Sequence, residues 1–283
     1  MRLTLCLCVF ASALPAVAEV QQSASLGSRV SGVLARMASP DLETREAAFD
    51  DMVTLIYEGQ KQDRGSGDTD ALASFLASHP DQADRVKLGL INLLNADNGL
   101  FMDPKTPPGK YTEGDTEHYA EVVDAVSVLN DERAIPALVG AMTTGGMAVG
   151  GLLKYGQKSL GPVLEKLGDP NPLVRSEAIN TAVTILLMKD DAAAHARILA
   201  LIQPALKDNE FLIRSSAIFA IERLKDREQF MPALEELAQH DPFKLPGKAD
   251  DGGELYPIRL QAKRLLDEIA KHGPPVTDQG PAR

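Results

Sequence analysis

Two segments of this chain repeat each other 39 positions apart. "LGDPNPLVRSEAI" at 167–179 aligns with "LKDNEFLIRSSAI" at 206–218. The recurring residues are Leu167, Asp169, Leu173, Arg175, Ala178 and Ile179, which return as Leu206, Asp208, Leu212, Arg214, Ala217 and Ile218. Self-similarity near 40 residues is typical of arrays of helical repeats, in which no unit can bury its apolar side alone and stacking supplies the core. This period constrains the fold more than any other feature of the sequence.

Each recurring residue has a structural role. An Asp after the preceding helix suits a turn or an N-cap, because its carboxylate accepts from exposed backbone N–H groups. The Ala keeps one contact small, so that neighbouring helices can approach closely. The arginines at 175 and 214 are interpreted as structural, bonding carbonyls or the Asp of the neighbouring turn. Weaker copies of the motif lie around Arg45 and around Arg259.

A second motif, in which proline precedes Ala or Val and then Leu, occurs four times. Its prolines are Pro136, Pro162, Pro204 and Pro232. Proline is tolerated in the first turn of a helix, where its missing N–H would have no intrahelical partner. We therefore predict that each of the four marks the start of a helix.

The runs "DPNPLVRSEAI", "DNEFLIRSSAI" and "LNDERAIPAL" resemble HEAT repeats, specifically the short bacterial type named after phycobilisome lyases. The resemblance is strongest from 120 to 240. It implies an all-α fold, a right-handed α-solenoid of stacked antiparallel helix pairs. Most members of that family are scaffolds or adaptors. The repeat motif itself is structural, so no functional residue carries over from it.

The N-terminus has the layout of a secretory signal peptide. Arg2 precedes an apolar run from Leu3 to Leu14, and small residues at 16–18 predict cleavage after Ala18. We therefore predict export, to the periplasm in a Gram-negative bacterium and otherwise to the medium. Both cysteines, Cys6 and Cys8, lie in the predicted peptide, and no later segment is long and apolar enough to span a membrane.

The predicted domain organisation follows from these patterns. Residues 1–18 form the signal peptide, 19–272 the solenoid, and 273–283 a disordered tail. Two long insertions interrupt the helices, at about 95–119 and 240–257. Connections beyond about 12 residues are uncommon in compact domains and are often functional or disordered.

The chain carries a formal net charge of −11, which disfavours nucleic acid and anionic membrane surfaces as partners. No motif indicates a catalytic, cofactor-binding or metal-binding constellation: the five histidines are scattered, and no serine-hydrolase elbow or P-loop occurs. An irregular calcium loop formed by Asp250, Asp251 and Glu254 stays open beside a simple solvated acidic turn.

The insertions contain the candidate partner-binding residues, which are large apolar side chains among prolines and glycines. These residues are Phe101, Met102, Tyr111, Tyr119, Phe243 and Tyr256. Such side chains either pack their loop down or anchor a partner. The favoured function is a non-catalytic scaffold or adaptor without a cofactor that binds a protein or peptide partner. The alternative is an enzyme or enzyme accessory, handling a cofactor or chromophore in a lyase-like manner.

Overall fold

A computed structural model describes residues 14–58, 68–103, 105–107, 109–189, 191–248 and 254–272. Within these ranges the chain is almost entirely α-helical, which confirms the all-α prediction. The predicted disordered tail, 273–283, lies outside the described residues, as does most of the predicted signal peptide. The last residues of that peptide, from Leu14, begin the first helix.

The chain divides into two compact units, Met1–Ala141 and Met142–Arg283. The first unit contains six α-helices within its described residues, with a short 3-10 turn at Glu132–Ala134 before the last. They are α1 (Leu14–Met37), α2 (Leu42–Glu58), α3 (Asp68–Ser78), α4 (Pro80–Phe101), α5 (Glu113–Ser127) and α6 (Ile135–Gly140).

The second unit contains seven α-helices and one two-stranded antiparallel sheet within its described residues. Its elements are α7 (Gly146–Tyr155), α8 (Gln157–Glu165), α9 (Pro172–Leu187), α10 (Ala192–Ala205), α11 (Phe211–Glu222), α12 (Met231–His240), β1 (Leu245–Lys248), β2 (Glu254–Leu255) and α13 (Pro257–His272). The sheet pairs Leu245 with Leu255 and lies within the second predicted insertion, where the sequence indicated no strands.

The first predicted insertion is shorter than 95–119, because helix occupies both of its ends. Helix α4 continues to Phe101, and α5 begins after an N-cap at Thr112. The Thr112 hydroxyl accepts from the backbone N–H of Asp115, and the Asp115 carboxylate accepts from the N–H of Thr112. This capping box fixes the start of α5, so the connection comprises only residues 102–112.

The prediction that every recurring proline starts a helix is right twice and wrong twice. Pro136 and Pro232 lie in the first turn of α6 and α12. Pro162 lies inside α8, because that helix already begins after Gly156, whose φ of 54° ends the previous helix. Pro204 is the second-to-last residue of α10. Proline there removes one backbone donor near the helix end, where the N–H groups of Leu206 and Lys207 donate to the carbonyls of Ile202 and Pro204.

The recurring arginines occupy the fourth position of α2, α9 and α11 and make the same contacts. In each case Nη1 donates to the backbone carbonyls of the residues six and five positions earlier. Arg45 thus bonds Ser39 and Pro40, with N···O distances of 2.9 and 3.1 Å. The expectation that these arginines bond carbonyls of the neighbouring turn is confirmed, and they tie each helix to the turn before it.

Alanine three residues after each of these arginines is fully buried, as expected for a small residue at a close helix contact. Ala48, Ala178 and Ala217 have no exposed surface, and neither has Ala262 of the weaker copy in α13. Helices packed through small residues approach closely and gain dispersion contacts along their length. These alanines lie in the core of their units, on the helices that contain the repeat arginines.

Hydrogen bonds join α9, α11 and α13 side by side in the second unit. The hydroxyls of Ser176 and Ser216 lie 2.7 Å apart, and Arg223 donates to the Thr184 hydroxyl at 2.8 Å. On the other side of α11, the Ser215 hydroxyl donates to Gln261 of α13 at 2.9 Å. The first two contacts join residues 40 and 39 positions apart, so α9 and α11 run parallel and in register with the sequence period.

Candidate functional site

The aromatic residues around the first connection pack against one another. The ring of Phe101 stacks on Tyr119 with centroids 4.6 Å apart and lies tilted by 34° against Tyr111 with centroids 4.3 Å apart. The buried Tyr119 hydroxyl donates to Asn98 Oδ1 at 2.5 Å, and Met102 is half-buried. Burial, and then the charge of Asp97, raises the pKa of Tyr119. The structure therefore brings Phe101, Tyr111 and Tyr119 together as a cluster that holds residues 102–112 against α4 and α5.

The candidate residues of the second insertion lie in the second unit and make separate contacts. Phe243 stacks face to face on Phe211, with ring centroids 3.8 Å apart. The Arg259 guanidinium lies 3.9 Å from the ring centroid of Tyr256. Glu254 accepts from Lys244 at 2.7 Å, a partner that a calcium ligand would have to give up. Asp250 and Asp251 lie outside the described residues, so the calcium loop stays an untested prediction.

A surface cavity of about 120 Å³ lies in the first unit, between α2 and α5. Leu72 of α3 and Leu90 of α4 complete its walls. The lining is mostly apolar and comes chiefly from the second halves of α2 and α5. The remaining lining residues are Phe49, Met52, Val53, Ile56, Tyr57, Glu121, Asp124, Ala125 and Val128. The cavity is open to solvent at one side, where Tyr57 is 37% exposed.

Among the described residues that line this cavity, two carboxylates are the only charged side chains. Glu121 and Asp124 lie three residues apart on α5, which places them on the same face of that helix. Glu121 is exposed and Asp124 is half-buried. No lysine or arginine in the described part of the chain forms an ion pair with either carboxylate. The described part of an otherwise apolar lining thus carries negative charge.

A buried charged network adjoins the cavity through Phe49. Arg45 and Asp97 are 2% and 0% exposed, and the Arg45 Nε donates to Asp97 Oδ1 at 2.9 Å. The Nε2 of His118 lies 3.3 Å from Asp97 Oδ2. The edge of the His118 ring contacts Phe49, with ring centroids 5.5 Å apart at 81°. This network joins three helices, because Arg45 lies on α2, Asp97 on α4 and His118 on α5. Arg45 also bonds the two turn carbonyls before α2.

Two carboxylates on the rim of the network have pKa values shifted in opposite directions. Burial raises the pKa of Glu46, opposed by the charge of His118 and assisted by Asp115 and Asp97. The backbone hydrogen bond from Thr112 lowers the pKa of Asp115. The capping box therefore favours the ionised form of Asp115, whereas burial favours the protonated form of Glu46.

The second unit contains a similar buried pair without a histidine. Arg214 Nε donates to Asp241 Oδ2 at 2.6 Å, and its Nη2 donates to Asp241 Oδ1 at 3.0 Å. The third repeat arginine, Arg175, bonds its two turn carbonyls and has no carboxylate partner among the described residues. Because a second repeat arginine also has a buried carboxylate partner, we interpret the Arg45–Asp97 pair as structural, with His118 as an addition in the first unit.

The sequence indicated neither the cavity nor the pairing of Arg45 with Asp97, which lies 52 residues away in the chain. His118 is one of five scattered histidines, and no short pattern places it beside Asp97. A usable signal for the cavity does exist: α2 and α5 contain five carboxylates each, and Arg45 is their only lysine or arginine. This uneven distribution of charge on two helices can be read from the sequence alone.

The described residues contain no cluster of three or more His, Cys, Asp or Glu side chains arranged to hold a metal ion. Among the helices in those same ranges, none combines the length and apolarity needed to cross a membrane. No family model, curated protein or solved structure matches this chain. The resemblance to HEAT repeats therefore stays an expectation drawn from the sequence.

Proposed function

We propose that this protein is an exported, non-catalytic adaptor that holds a segment of a protein partner in the groove between α2 and α5. The fold that we propose for it is a right-handed α-solenoid of stacked antiparallel helix pairs of the HEAT-like type. Export is proposed from the layout of residues 1–18, and the predicted mature chain begins at Glu19.

The repeated arginine contacts support the solenoid part of the proposal. Arg45, Arg175 and Arg214 each lie in the first turn of a helix. Each bonds the carbonyls of the residues six and five positions earlier. Helices α9 and α11 lie parallel and bond through residues 39 and 40 positions apart. Stacked repeats require such equivalent contacts between successive units, because each repeat packs only against its neighbours.

The observation that carries the binding proposal is the size and lining of the cavity. Pockets for small molecules and cofactors run from about 300 to 1,000 Å³. A volume of about 120 Å³ suits a single side chain better than a whole cofactor. An apolar cavity of that size at a surface groove is the type of site that holds an anchor residue of a bound protein or peptide. At this cavity, the volume therefore favours an anchoring side chain over a cofactor.

A photocrosslinking experiment tests the proposal. The chain from Glu19 carries a photoreactive phenylalanine analogue at position 57, beside the cavity, and serves as bait in an envelope extract. A matched bait carries the same analogue at Met188, which is 66% exposed in the second unit. The crosslinked partner is identified by mass spectrometry and then expressed and purified. Its binding is measured with wild type and with Ala125→Phe, which fills the cavity.

We expect one saturable partner that crosslinks at position 57, does not crosslink at 188, and loses affinity for Ala125→Phe. Equal crosslinking at both positions, or unchanged affinity for the filled cavity, would contradict a role for the groove. A stoichiometric small molecule in the purified protein that Ala125→Phe expels would instead favour the cofactor-handling alternative. Val53→Phe fills the same cavity from α2 and provides a second variant should Ala125→Phe fail to fold.

A further inference from the structure

We infer that the segment held between α2 and α5 is cationic, with a lysine or arginine next to a large apolar side chain. This inference rests on the proposed function and specifies the chemistry of the partner. The apolar side chain enters the cavity, and the neighbouring cation lies at its opening beside Glu121 and Asp124.

The charge distribution around the cavity is the first argument. Helices α2, α3 and α5 form most of its wall, and the only lysine or arginine in them is Arg45. Arg45 is buried and paired with Asp97, so it contributes no positive charge to the opening. On α2 two carboxylates are neutralised by cations of α1, Asp51 by Arg36 and Glu58 by Arg29. The carboxylates that line the cavity have no such partner in the described residues.

The helix dipoles are the second argument. Tyr57 lies next to the last residue of α2, and Val128 caps the end of α5, so the cavity is lined by the final turns of both helices. The C-terminal end of a helix carries a partial negative charge of about half an elementary charge, which favours cations. Neither helix has a basic residue in its last turn. Arg29 already lies at the end of α2, paired with Glu58, so a partner cation would meet the end of α5 as well as two carboxylates.

The apolar lining determines the rest of the partner's chemistry. Met52, Val53 and Ile56 line the α2 side and supply no hydrogen-bonding side chain. Burying a cation among them without compensation would be costly, so the charge stays at the opening. An aliphatic or aromatic side chain fits the interior. The same negative rim disfavours acidic segments, anionic lipid and nucleic acid.

An unbiased selection tests this inference. A display library of random short peptides is selected on the wild-type chain and counter-selected on Ala125→Phe, so that only peptides needing the open cavity are kept. Circular dichroism and thermal melting establish that the Ala125→Phe bait is folded, and Val53→Phe replaces it otherwise. We expect the retained sequences to combine Lys or Arg with a neighbouring large apolar residue.

The affinity of a retained cationic peptide is then measured by fluorescence anisotropy against the double variant Glu121→Gln/Asp124→Asn. We expect binding to weaken about threefold to tenfold, the range that two solvent-exposed ion pairs produce. The control, Glu165→Gln/Glu235→Gln, removes two exposed carboxylates of the second unit and should leave the affinity unchanged. Added salt should weaken wild-type binding and have less effect on the double variant.

The outcomes separate this inference from the proposed function. Retained peptides that are neutral or acidic, or that bind the double variant as tightly as wild type, would overturn the cationic assignment while leaving peptide binding in the groove intact. No peptide retained in preference over the filled cavity would overturn the proposed function, and the inference with it. Cationic peptides that depend on Glu121 and Asp124 support both.

Discussion

The buried pair of Arg45 and Asp97 provides the sharpest test of how the first unit is stabilised. Replacing Asp97 by Leu leaves a guanidinium that is only 2% exposed without its carboxylate partner. The two bonds from Nη1 to Ser39 and Pro40 remain, but Nε and Nη2 both lose their contact with Asp97. Breaking a buried pair on one side costs about 3–5 kcal/mol. That is a large fraction of the roughly 5–15 kcal/mol that stabilises a typical protein.

The double variant Arg45→Met/Asp97→Leu measures the stability of the protein when both partners of the buried pair are replaced. Replacing both partners of a buried pair by apolar residues is often neutral, because the desolvation cost of both charges disappears together. What remains is the loss of two carbonyl hydrogen bonds, worth about 1 kcal/mol each. We therefore expect the double variant to be about 1–2 kcal/mol less stable than wild type, and more stable than Asp97→Leu alone.

Urea unfolding followed by circular dichroism measures these free energies, and amide hydrogen exchange in α2 and α4 assigns the loss to the first unit. Arg175→Met serves as the matched control, because Arg175 bonds the equivalent two carbonyls of its own turn and has no carboxylate partner among the described residues. It should cost about 1–2 kcal/mol. The reasoning is refuted if Asp97→Leu costs no more than Arg175→Met, or if the two single substitutions at 45 and 97 add.

Three further predictions concern a glycine, a tyrosine and a carboxyl group. A Cβ at Gly140 would lie 2.5 Å from Asn98 Nδ2, which donates to the Ala137 carbonyl, so Gly140→Ala should destabilise the protein by about 1–3 kcal/mol in urea unfolding. Gly32→Ala in α1, where a Cβ meets nothing within 4 Å, should instead stabilise it by up to about 1 kcal/mol, and equal effects would refute the contrast. Tyr119→Phe removes the donor to Asn98 Oδ1 and should lower the melting temperature, with a cost of about 1–3 kcal/mol; an unchanged melting temperature would contradict this. Burial raises the pKa of Glu177, so its contribution is fully present below the unfolded pKa of about 4.3 and is lost as pH rises through the folded pKa. Glu177→Gln should therefore gain stability relative to wild type as pH rises from that value to neutral, and parallel stability curves would refute the shift.

Helix positions were the part of this protein that local sequence signals could predict. Apolar residues three or four apart and turn residues act over one or two helical turns, and Pro136 and Pro232 begin helices as predicted. The exceptions have local competitors. Gly156 stops α7 and starts α8 before Pro162 is reached, and the capping box at Thr112 begins α5 inside the predicted insertion.

The sequence by itself determined the all-α class, the repeat period and the bonding of each repeat arginine to its own turn, because these depend on residues within six positions of one another. Only the tertiary structure decided that Arg45 bonds Asp97, that Phe49 contacts His118 and that α2 and α5 line a surface cavity. These contacts depend on how α2 packs beside α5 across more than 50 residues of chain. Such packing is the sum of many weak contacts, and no single short pattern in the sequence specifies it.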